Sequence, residues 1–493
     1  MHNIFSKTLK VKLSTVKMLS YLYLSSPCFL FLATWVNWKI SVFLLSLSIL
    51  LLLIMYRNTV AEGDLINIPT YIFLFLIIVA IVWPLVSGIG NVFLQSRDFG
   101  GRNPLFMDLI KFSWPVIYPE NGRAIVYYLG HWIVPALIGK VFGWYAAQIA
   151  LVLWTALGIL LMFLFLCFYL KVFNKFFIIF VIIFIFFYEL PFKSLFSFRT
   201  YDTFTVLLSS SVQLRYIFNQ AIAIWLLGML FLHEKGMKNF IFLASSIIFY
   251  SPYTFISIGI FMIAYFLNDT IKNKKISWSE ILCIQNILSF IIFFPILYLY
   301  LSTNSTSTDG LHFFSYSIDK IPDLLLSYLI QFGIFMILIF NQYKKCYLYW
   351  TIPIIFIGVS FWGYAYVDAN FVRTNIIAWF ILLVLMLKYL LTSVSLIRKG
   401  ILILFIVITF RSNIRFFYNQ IKYFIVYGIA PLKDCFSTFN RNDLNLQNDN
   451  IARCEGLAFK GEYPIGYWIL MTFTTENPQD TIFFKYLAKS NSD

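Results

Sequence analysis

Residues 96–132, SRDFGGRNPLFMDLIKFSWPVIYPENGRAIVYYLGHW, form a polar and charged stretch between two strongly apolar blocks. The chain as a whole is 60% hydrophobic and only 12% charged, so this concentration of charge is unusual within it. Ionisable side chains beside membrane spans are costly and are commonly functional. The apolar blocks therefore define the fold, and the polar stretch between them is where we look for chemistry.

The apolar blocks predict an all-α polytopic membrane protein. Mean hydropathy is +0.81 over 493 residues, which excludes a soluble globular protein. A hydrocarbon core about 30 Å thick takes roughly 20 apolar residues to cross as a helix. The sequence contains about thirteen such stretches. Because it has no long alternating strands, we predict that they form helices. They lie near residues 19–37, 39–56, 68–90, 144–170, 175–192, 219–232, 239–252, 253–268, 281–301, 324–341, 347–363, 376–392 and 400–411.

Lysine and arginine orient these spans. Basic residues concentrate on the cytoplasmic side of membrane proteins. The basic N-terminus and the turns at 272–275, 343–345 and 398–399 then all fall on the cytoplasmic side, and the C-terminus falls on the periplasmic side. The net charge of +15 is explained by these turns, so we predict a lipid bilayer and no nucleic acid as partner.

Two parts of the chain follow from this threading. Residues 1–411 form a transmembrane domain whose first large outer loop is 91–143, and residues 412–493 form a periplasmic segment. Residues 125–142 predict a re-entrant or interfacial helix, because a full span there would move the following lysines outside.

The six cysteines show no metal-ligand spacing. Cys28, Cys167, Cys283 and Cys346 lie in or beside apolar segments, where a cysteine packs as a small apolar side chain. Cys435 and Cys454 lie in the polar C-terminal segment. In an oxidising periplasm they are candidates for a disulfide.

The polar residues that we consider candidates for chemistry all fall on the outer side in this threading. Arg97, Asp98, Arg102 and Asp108 lie in the first loop, Arg199, Asp202 and Arg215 in the second, and Asp368 and Arg373 in the fourth. A carboxylate can take a proton from an attacking hydroxyl, and a fixed arginine can stabilise a departing phosphate. These residue types suit sugar transfer from a polyprenyl phosphate, whose lipid tail would lie between helices.

Five stretches carry a resemblance to a known family. They are RDFGGRNPLFMDLIKFSWPVIY (97–118), VYYLGHWIVPALIGK (126–140), FNQAIAIWLLGMLFL (218–232), VDANFVRTNIIAWFILL (367–383) and FFKYLAK (483–489), together under a fifth of the chain. With an acidic residue in the first large outer loop, the chain resembles the GT-C superfamily of lipid-linked-sugar glycosyltransferases. It looks more closely like bacterial multi-span proteins of cell-surface polysaccharide, O-antigen-modifying glucosyltransferases among them.

The resemblance implies a GT-C-like fold in the bacterial inner membrane, with the active site in the outer loops. It implies a polyprenyl-phosphate-linked sugar as donor and a polysaccharide as acceptor. Asp98 takes the role of catalytic base, with Asp108 as the substitute. Many GT-C enzymes carry two acidic residues together here, whereas Asp98 stands between Arg97 and Phe99. The use of a divalent metal is therefore left open, and no other cofactor is expected.

The predicted substrate-binding residues each have a simpler alternative. They are Arg97, Arg102, His131, Arg199, Asp202, Arg215, Gln220, Asp368 and Arg373, with Arg102, Arg199, Arg215 and Arg373 as candidate phosphate ligands. Asp98 also suits an ion pair with a neighbouring arginine, and Asp108 suits the polar face of an amphipathic helix. Arg373 also fits an interfacial anchor, and His131 a hydrogen-bonded structural histidine.

Two other functions compete with the transferase. An O-antigen polymerase joins whole lipid-linked repeats, and its loss changes polymer length while leaving side branches intact. A flippase of lipid-linked sugars is expected to carry charges inside the bundle and paired halves. The sequence shows neither of these two features.

Overall fold

The computed structural model describes residues 7–60, 63–96, 98–119, 122–187, 209–305, 311–313, 321–359, 361–364, 370–428 and 473–489. Helices dominate these ranges. They are α1 (Leu13–Trp35), α2 (Trp38–Val60), α3 (Thr70–Val86), α4 (Phe99–Lys111), α5 (Ile133–Leu170), α6 (Phe176–Phe186), α7 (Ser210–His233), α8 (Phe240–Ile248), α9 (Pro252–Asn273), α10 (Trp278–Ile281), α11 (Ile284–Leu301), α12 (Ile321–Tyr328), α13 (Ile334–Tyr343), α14 (Tyr347–Val359), α15 (Asn370–Thr392) and α16 (Leu396–Tyr427).

Three short antiparallel ribbons accompany the helices. They pair β1 (Thr8–Lys12) with β2 (Leu65–Pro69), β3 (Ala124–Ile125) with β6 (Thr474–Thr475), and β4 (Leu311–Phe313) with β5 (Trp362–Tyr364).

Within the described ranges, nine helical segments are long and apolar enough to cross a membrane. Three shorter apolar helices, α3, α6 and α14, accompany them. Each of the thirteen predicted spans overlaps a helix, but length and composition support crossing for only nine. The fold is therefore that of a helical, multi-pass membrane protein.

The two ends of the helical bundle carry different elements. The β1–β2 ribbon lies where α1 begins, and we call this the ribbon end. Where α1 ends, Trp35 and Val36 contact the C-terminal residues, since the Lys489 amide donates to the Trp35 carbonyl. We call this the loop end, because β6 pairs there with β3 of the first large loop. The first loop and residues 473–489 thus share one end of the bundle.

The centre of the bundle consists of α7 and α15. In each of these two helices 83% of an 18-residue apolar stretch is buried, against 22% of the corresponding stretch in α16 and 28% in α2 and α9. Gly228 allows α7 and α15 to approach closely, because an added Cβ would lie 2.7 Å from a ring carbon of Phe380. The peripheral helices expose their apolar faces, as expected of helices that contact lipid.

The predicted re-entrant or interfacial helix corresponds to the first part of α5. Gly143, at φ 84°, breaks α5 into residues 133–142 and 144–170, which agrees with the predicted start of the next span. Before the break, Val141 and Phe142 are 69% and 71% exposed. A short helix with such an exposed apolar face is typical of an interfacial segment.

Two predicted boundaries fall inside helices. Residues 209–218 were predicted as outer loop, yet they lie in or directly before α7, which begins at Ser210. The predicted division at residue 411 falls inside α16, which continues to Tyr427. Both boundaries were placed where arginine and asparagine interrupt an apolar run, and in the structure these residues lie within α7 and α16.

Candidate functional site

The backbone of residues 126–131 lies against the helix ends of the bundle. The Gly130 amide donates to the Phe249 carbonyl at 2.8 Å. An added Cβ at Gly130 would lie 2.8 Å from that same oxygen, so only glycine allows this close approach. On the other side, the Val126 amide donates to the Phe473 carbonyl at 2.9 Å. The loop thereby places Tyr128 beside Gln220, just after the Ile217 kink of α7, and close to Ser251 at the start of α9.

Asp98 and Arg102 form the acidic and basic pair of the site. Asp98 precedes α4 without capping it, and the Arg102 Nη2 donates to the Asp98 Oδ2 at 3.2 Å, one helical turn away. The Asp98 side chain is 42% exposed, whereas that of Arg102 is only 6% exposed. The Asp98 carboxylate is therefore accessible to a substrate, while the Arg102 guanidinium is buried in the protein.

Aromatic rings fix the position of the Arg102 guanidinium. Its Cζ lies 5.7 Å from the ring centre of Phe218 on α7, and Phe218 in turn stacks on Phe99 at 5.3 Å. The Arg102 Nη1 is buried and has no hydrogen-bond partner among the described residues. A buried unpaired N–H of a guanidinium is costly and suits a site that completes its hydrogen bonds on binding an anion.

Arg373, in the first turn of α15, supplies a second guanidinium. Its Cζ lies 6.0 Å from the ring centre of Tyr128 and 5.6 Å from that of Tyr253. Its Nε is buried and unpaired, like the Arg102 Nη1. Asp98 is within electrostatic range of Arg373. The structure thus brings Asp98, Arg102 and Arg373 to one place at the loop end.

A chain of hydrogen bonds holds Tyr128 beside Arg373. The Gln220 amide nitrogen donates to the Tyr128 hydroxyl oxygen at 3.2 Å. The Ser251 hydroxyl donates to the Gln220 Oε1 at 2.9 Å, and Thr254 donates to Ser251 at 2.9 Å. All members of this chain from α7 and α9 are buried. Such a connected network fixes the side chains at its end.

The electrostatics of the site favour an anion. Burial raises the pKa of Tyr127 well above its usual range, and the neighbouring Tyr128 raises it further. Arg102 and Arg373 oppose this pKa shift, which shows that both guanidiniums act on the same phenol. One carboxylate against two guanidiniums leaves a net positive site, and guanidiniums bind phosphate oxygens in bidentate geometry.

His131 lies behind this site. It is fully buried, its Nε2 lies 2.9 Å from the Thr155 Oγ1, and its ring packs edge-on against Phe218 at 5.4 Å. Burial lowers the pKa of His131 to about 3, so the imidazole is neutral at physiological pH. The contacts favour the structural alternative for His131, as a support for the ring on which Arg102 rests.

Two of the predicted residues lie apart from Asp98. Asp108, the proposed substitute base, is fully buried and accepts a hydrogen bond from the Tyr118 hydroxyl at 2.7 Å, so it joins α4 to the following loop. Arg215 stacks on Phe416 of α16, with 4.7 Å between its Cζ and the ring centre. Its carbonyl accepts from Ser96, close in sequence to Asp98.

The remaining predicted residues lie outside the described part of the chain. They are Arg97, Arg199, Asp202, Asp368, Cys435 and Cys454. Of the other cysteines, Cys28 and Cys167 are buried and Cys283 and Cys346 are partly buried, all four as free thiols. In the described ranges, no three histidine, cysteine or carboxylate side chains lie close enough together to hold a metal ion.

Sequence reasoning missed Tyr253, Ser251 and Thr254. They follow α8 in the stretch SPYT, which carries no charge and no motif. Their only sequence signal is Pro252, since proline in the first turn of a helix predicts where α9 begins. The link of Ser251 and Thr254 to Gln220, and the contact of Tyr253 with Arg373, depend on the packing of α9 against α8 and α15.

Comparison of the chain with known protein families, with characterised proteins and with solved structures finds no match. The site therefore stands on its own geometry: an accessible carboxylate, two guanidiniums with buried unpaired nitrogens and a tyrosine pair, at one end of a membrane-type helical bundle.

Proposed function

We propose that the protein is an integral-membrane glycosyltransferase. It transfers a sugar from a polyprenyl-phosphate donor to a bacterial surface polysaccharide, on the periplasmic side of the inner membrane. The observation that carries the proposal is the combination of Asp98, exposed and free of any capping role, with the buried guanidiniums of Arg102 and Arg373.

Each group has a role in this reaction. Asp98 takes the proton from the attacking hydroxyl of the acceptor, whose oxygen then bonds to the anomeric carbon of the donor sugar. The bond from that carbon to the phosphate oxygen breaks, and the lipid phosphate leaves. Arg102 and Arg373 stabilise its charge, because their unpaired N–H groups are buried and already oriented. Tyr127 and Tyr128 offer aromatic and hydroxyl contacts for a sugar ring.

The membrane context supports a lipid-linked donor. The site lies at the helix ends of a bundle with nine membrane-length helices in its described part, and α5 begins there with an exposed apolar face. A donor with a long isoprenoid tail reaches such a site laterally from the bilayer. The loop end is the periplasmic end in this proposal, because the lysine-rich turns lie at the other end of the helices.

The test is the composition and linkage of the surface polysaccharide in cells that express the wild-type chain, no chain or Asp98→Asn. The wild type is expected to add a sugar branch that the deletion lacks, and Asp98→Asn to reduce it at least about 100-fold, as loss of a general base does. Asp480→Asn is the matched control, since Asp480 is an exposed aspartate at the same end of the bundle.

Two results contradict the proposal. If Asp98→Asn adds the branch as the wild type does at equal protein level, Asp98 is not the base. If the deletion strain keeps every branch and only polymer length changes, the protein acts in polymerisation. Undecorated precursor that stays on the cytoplasmic side would instead identify a flippase.

The arginine role has its own test. Arg373→Gln is expected to lower sugar transfer about 100-fold or more, because the departing phosphate loses a charge-assisted hydrogen bond in a buried site. Arg57→Gln, at an exposed position in the last turn of α2, removes the same charge far from the site and should leave transfer unchanged.

A further inference from the structure

Among the described residues, one face of α16 is exposed and takes no part in the packing of the bundle. The opposite face is held by Asn413, whose amide nitrogen donates to the Phe186 carbonyl at 3.0 Å, and by Gln420, which donates to the Leu94 carbonyl at 3.0 Å. Leu402, Ile406 and Thr409 are buried on that same side. At 100° per residue, the exposed face includes Val407, Arg411, Ile414, Arg415 and Tyr418, and Phe410 lies at its edge, where it also packs against Phe186 of α6.

These six residues line an open groove with a volume of about 680 Å³. We call it the α16 groove. Its side chains divide by chemistry: Val407, Phe410 and Ile414 are apolar, and Arg411 and Arg415 are cationic. Arg411 and Arg415 are exposed and one helical turn apart, about 6 Å between their Cβ atoms. The groove thus offers an apolar wall beside a pair of guanidiniums.

Nothing on α16 neutralises these charges. Its sequence, LIRKGILILFIVITFRSNIRFFYNQIKYFIVY, contains no aspartate or glutamate. In the described part of the chain, the ion pairs involve neither Arg411 nor Arg415. Arg215 lies close by on α7, stacked on Phe416, and adds to the positive potential.

The depth of the two arginines along the helix suits a lipid head group. At 1.5 Å per residue, Arg411 and Arg415 lie about 22 and 28 Å from Leu396. Leu396 begins the membrane-length segment, and the hydrocarbon core is about 30 Å thick. Arg415 therefore lies near the far boundary of the hydrocarbon core, and Arg411 lies one turn inside it, where its long side chain can extend toward the phosphate level. Val407 and Phe410 lie deeper, at the level of the acyl chains.

We propose that the α16 groove binds an anionic diacyl phospholipid, with its phosphate held by Arg411 and Arg415 and its acyl chains along Val407, Phe410 and Ile414. Two guanidiniums one turn apart can grip a single phosphate group from both sides. The apolar half of the groove distinguishes a lipid from a free phosphate ion. This site is built by α16 and is independent of the reaction proposed for Asp98.

The test measures lipid retention by the purified full chain in detergent. Native mass spectrometry follows the bound lipid during titration with phosphatidylglycerol or, separately, with phosphatidylcholine. We expect one tightly retained phosphatidylglycerol per chain and weaker retention of phosphatidylcholine. Arg411→Gln/Arg415→Gln should weaken the phosphatidylglycerol site about tenfold or more. Lys344→Gln/Lys345→Gln is the matched control, because these exposed lysines lie at the ribbon end and carry the same charge.

Folding and competing occupants are checked in the same experiment. Both arginines are exposed, so the variant should keep the wild-type melting temperature when measured without added lipid. Arg411→Lys/Arg415→Lys should retain part of the affinity. Equal retention of the two phospholipids, or unchanged retention in the glutamine variant, overturns the proposal. So does displacement of phosphatidylglycerol by millimolar inorganic phosphate, or by undecaprenyl phosphate at a tenth of its concentration.

Discussion

The burial of His131 predicts a specific loss of stability in acid. Its pKa is lowered to about 3 by burial, whereas an unfolded chain has a histidine pKa of about 6.5. Below pH 6.5 the unfolded state therefore binds a proton that the folded state does not bind. The contribution of neutral His131 to stability is fully present above about pH 6.5 and is lost progressively as the pH falls toward 3. From these two pKa values, the loss is about 2 kcal/mol at pH 5.

The measurement is equilibrium unfolding in detergent micelles at pH 7 and pH 5, for the wild type and for His131→Gln. Glutamine does not titrate, so the wild type should lose about 2 kcal/mol more than the variant between these two pH values. Thr155→Val is the control. It removes the hydroxyl beside the imidazole Nε2, and it should lower stability at both pH values without changing their difference.

Parallel pH dependence in the wild type and His131→Gln would refute the reasoning. The imidazole would then protonate freely in the folded state, which requires water at a site that the structure shows as fully buried. A protonated His131 would also place a third cation behind Phe218, next to Arg102. The structural role of His131 would have to be abandoned.

Three further predictions concern other parts of the loop end. Tyr118→Phe removes the hydroxyl that donates to the buried Asp108, and it should lower the unfolding free energy by about 1–3 kcal/mol in the same unfolding assay. Gly139→Ala should cost about 1–3 kcal/mol, since the added Cβ would lie 2.7 Å from an Ile110 side-chain carbon; an unchanged midpoint would show that α4 adjusts. Arg123→Gln removes the 2.7 Å ion pair to Glu476, and it should speed tryptic cleavage after Lys485 severalfold, whereas equal rates would contradict this anchoring.

Local composition predicted the helices and most of their positions. An apolar run of about 20 residues has few alternatives in a membrane, because every backbone amide must be satisfied within the segment. The separate segment before Gly143 was also predicted, because a full span there would have moved the following lysines to the outer side. An ion pair of Asp98 with a neighbouring arginine was one alternative offered by the sequence, and the structure pairs Asp98 with Arg102 one helical turn away.

What the tertiary structure alone decided is which polar residues meet. The sequence offered Asp98 and Asp108 as similar candidates, and only packing buries Asp108 against Tyr118 while Asp98 stays accessible. Likewise, Arg373 reaches Tyr128 across more than two hundred residues of chain. Side-chain burial and contacts between distant segments depend on how the helices pack, and helix packing is set by shape over the whole bundle rather than by any local pattern.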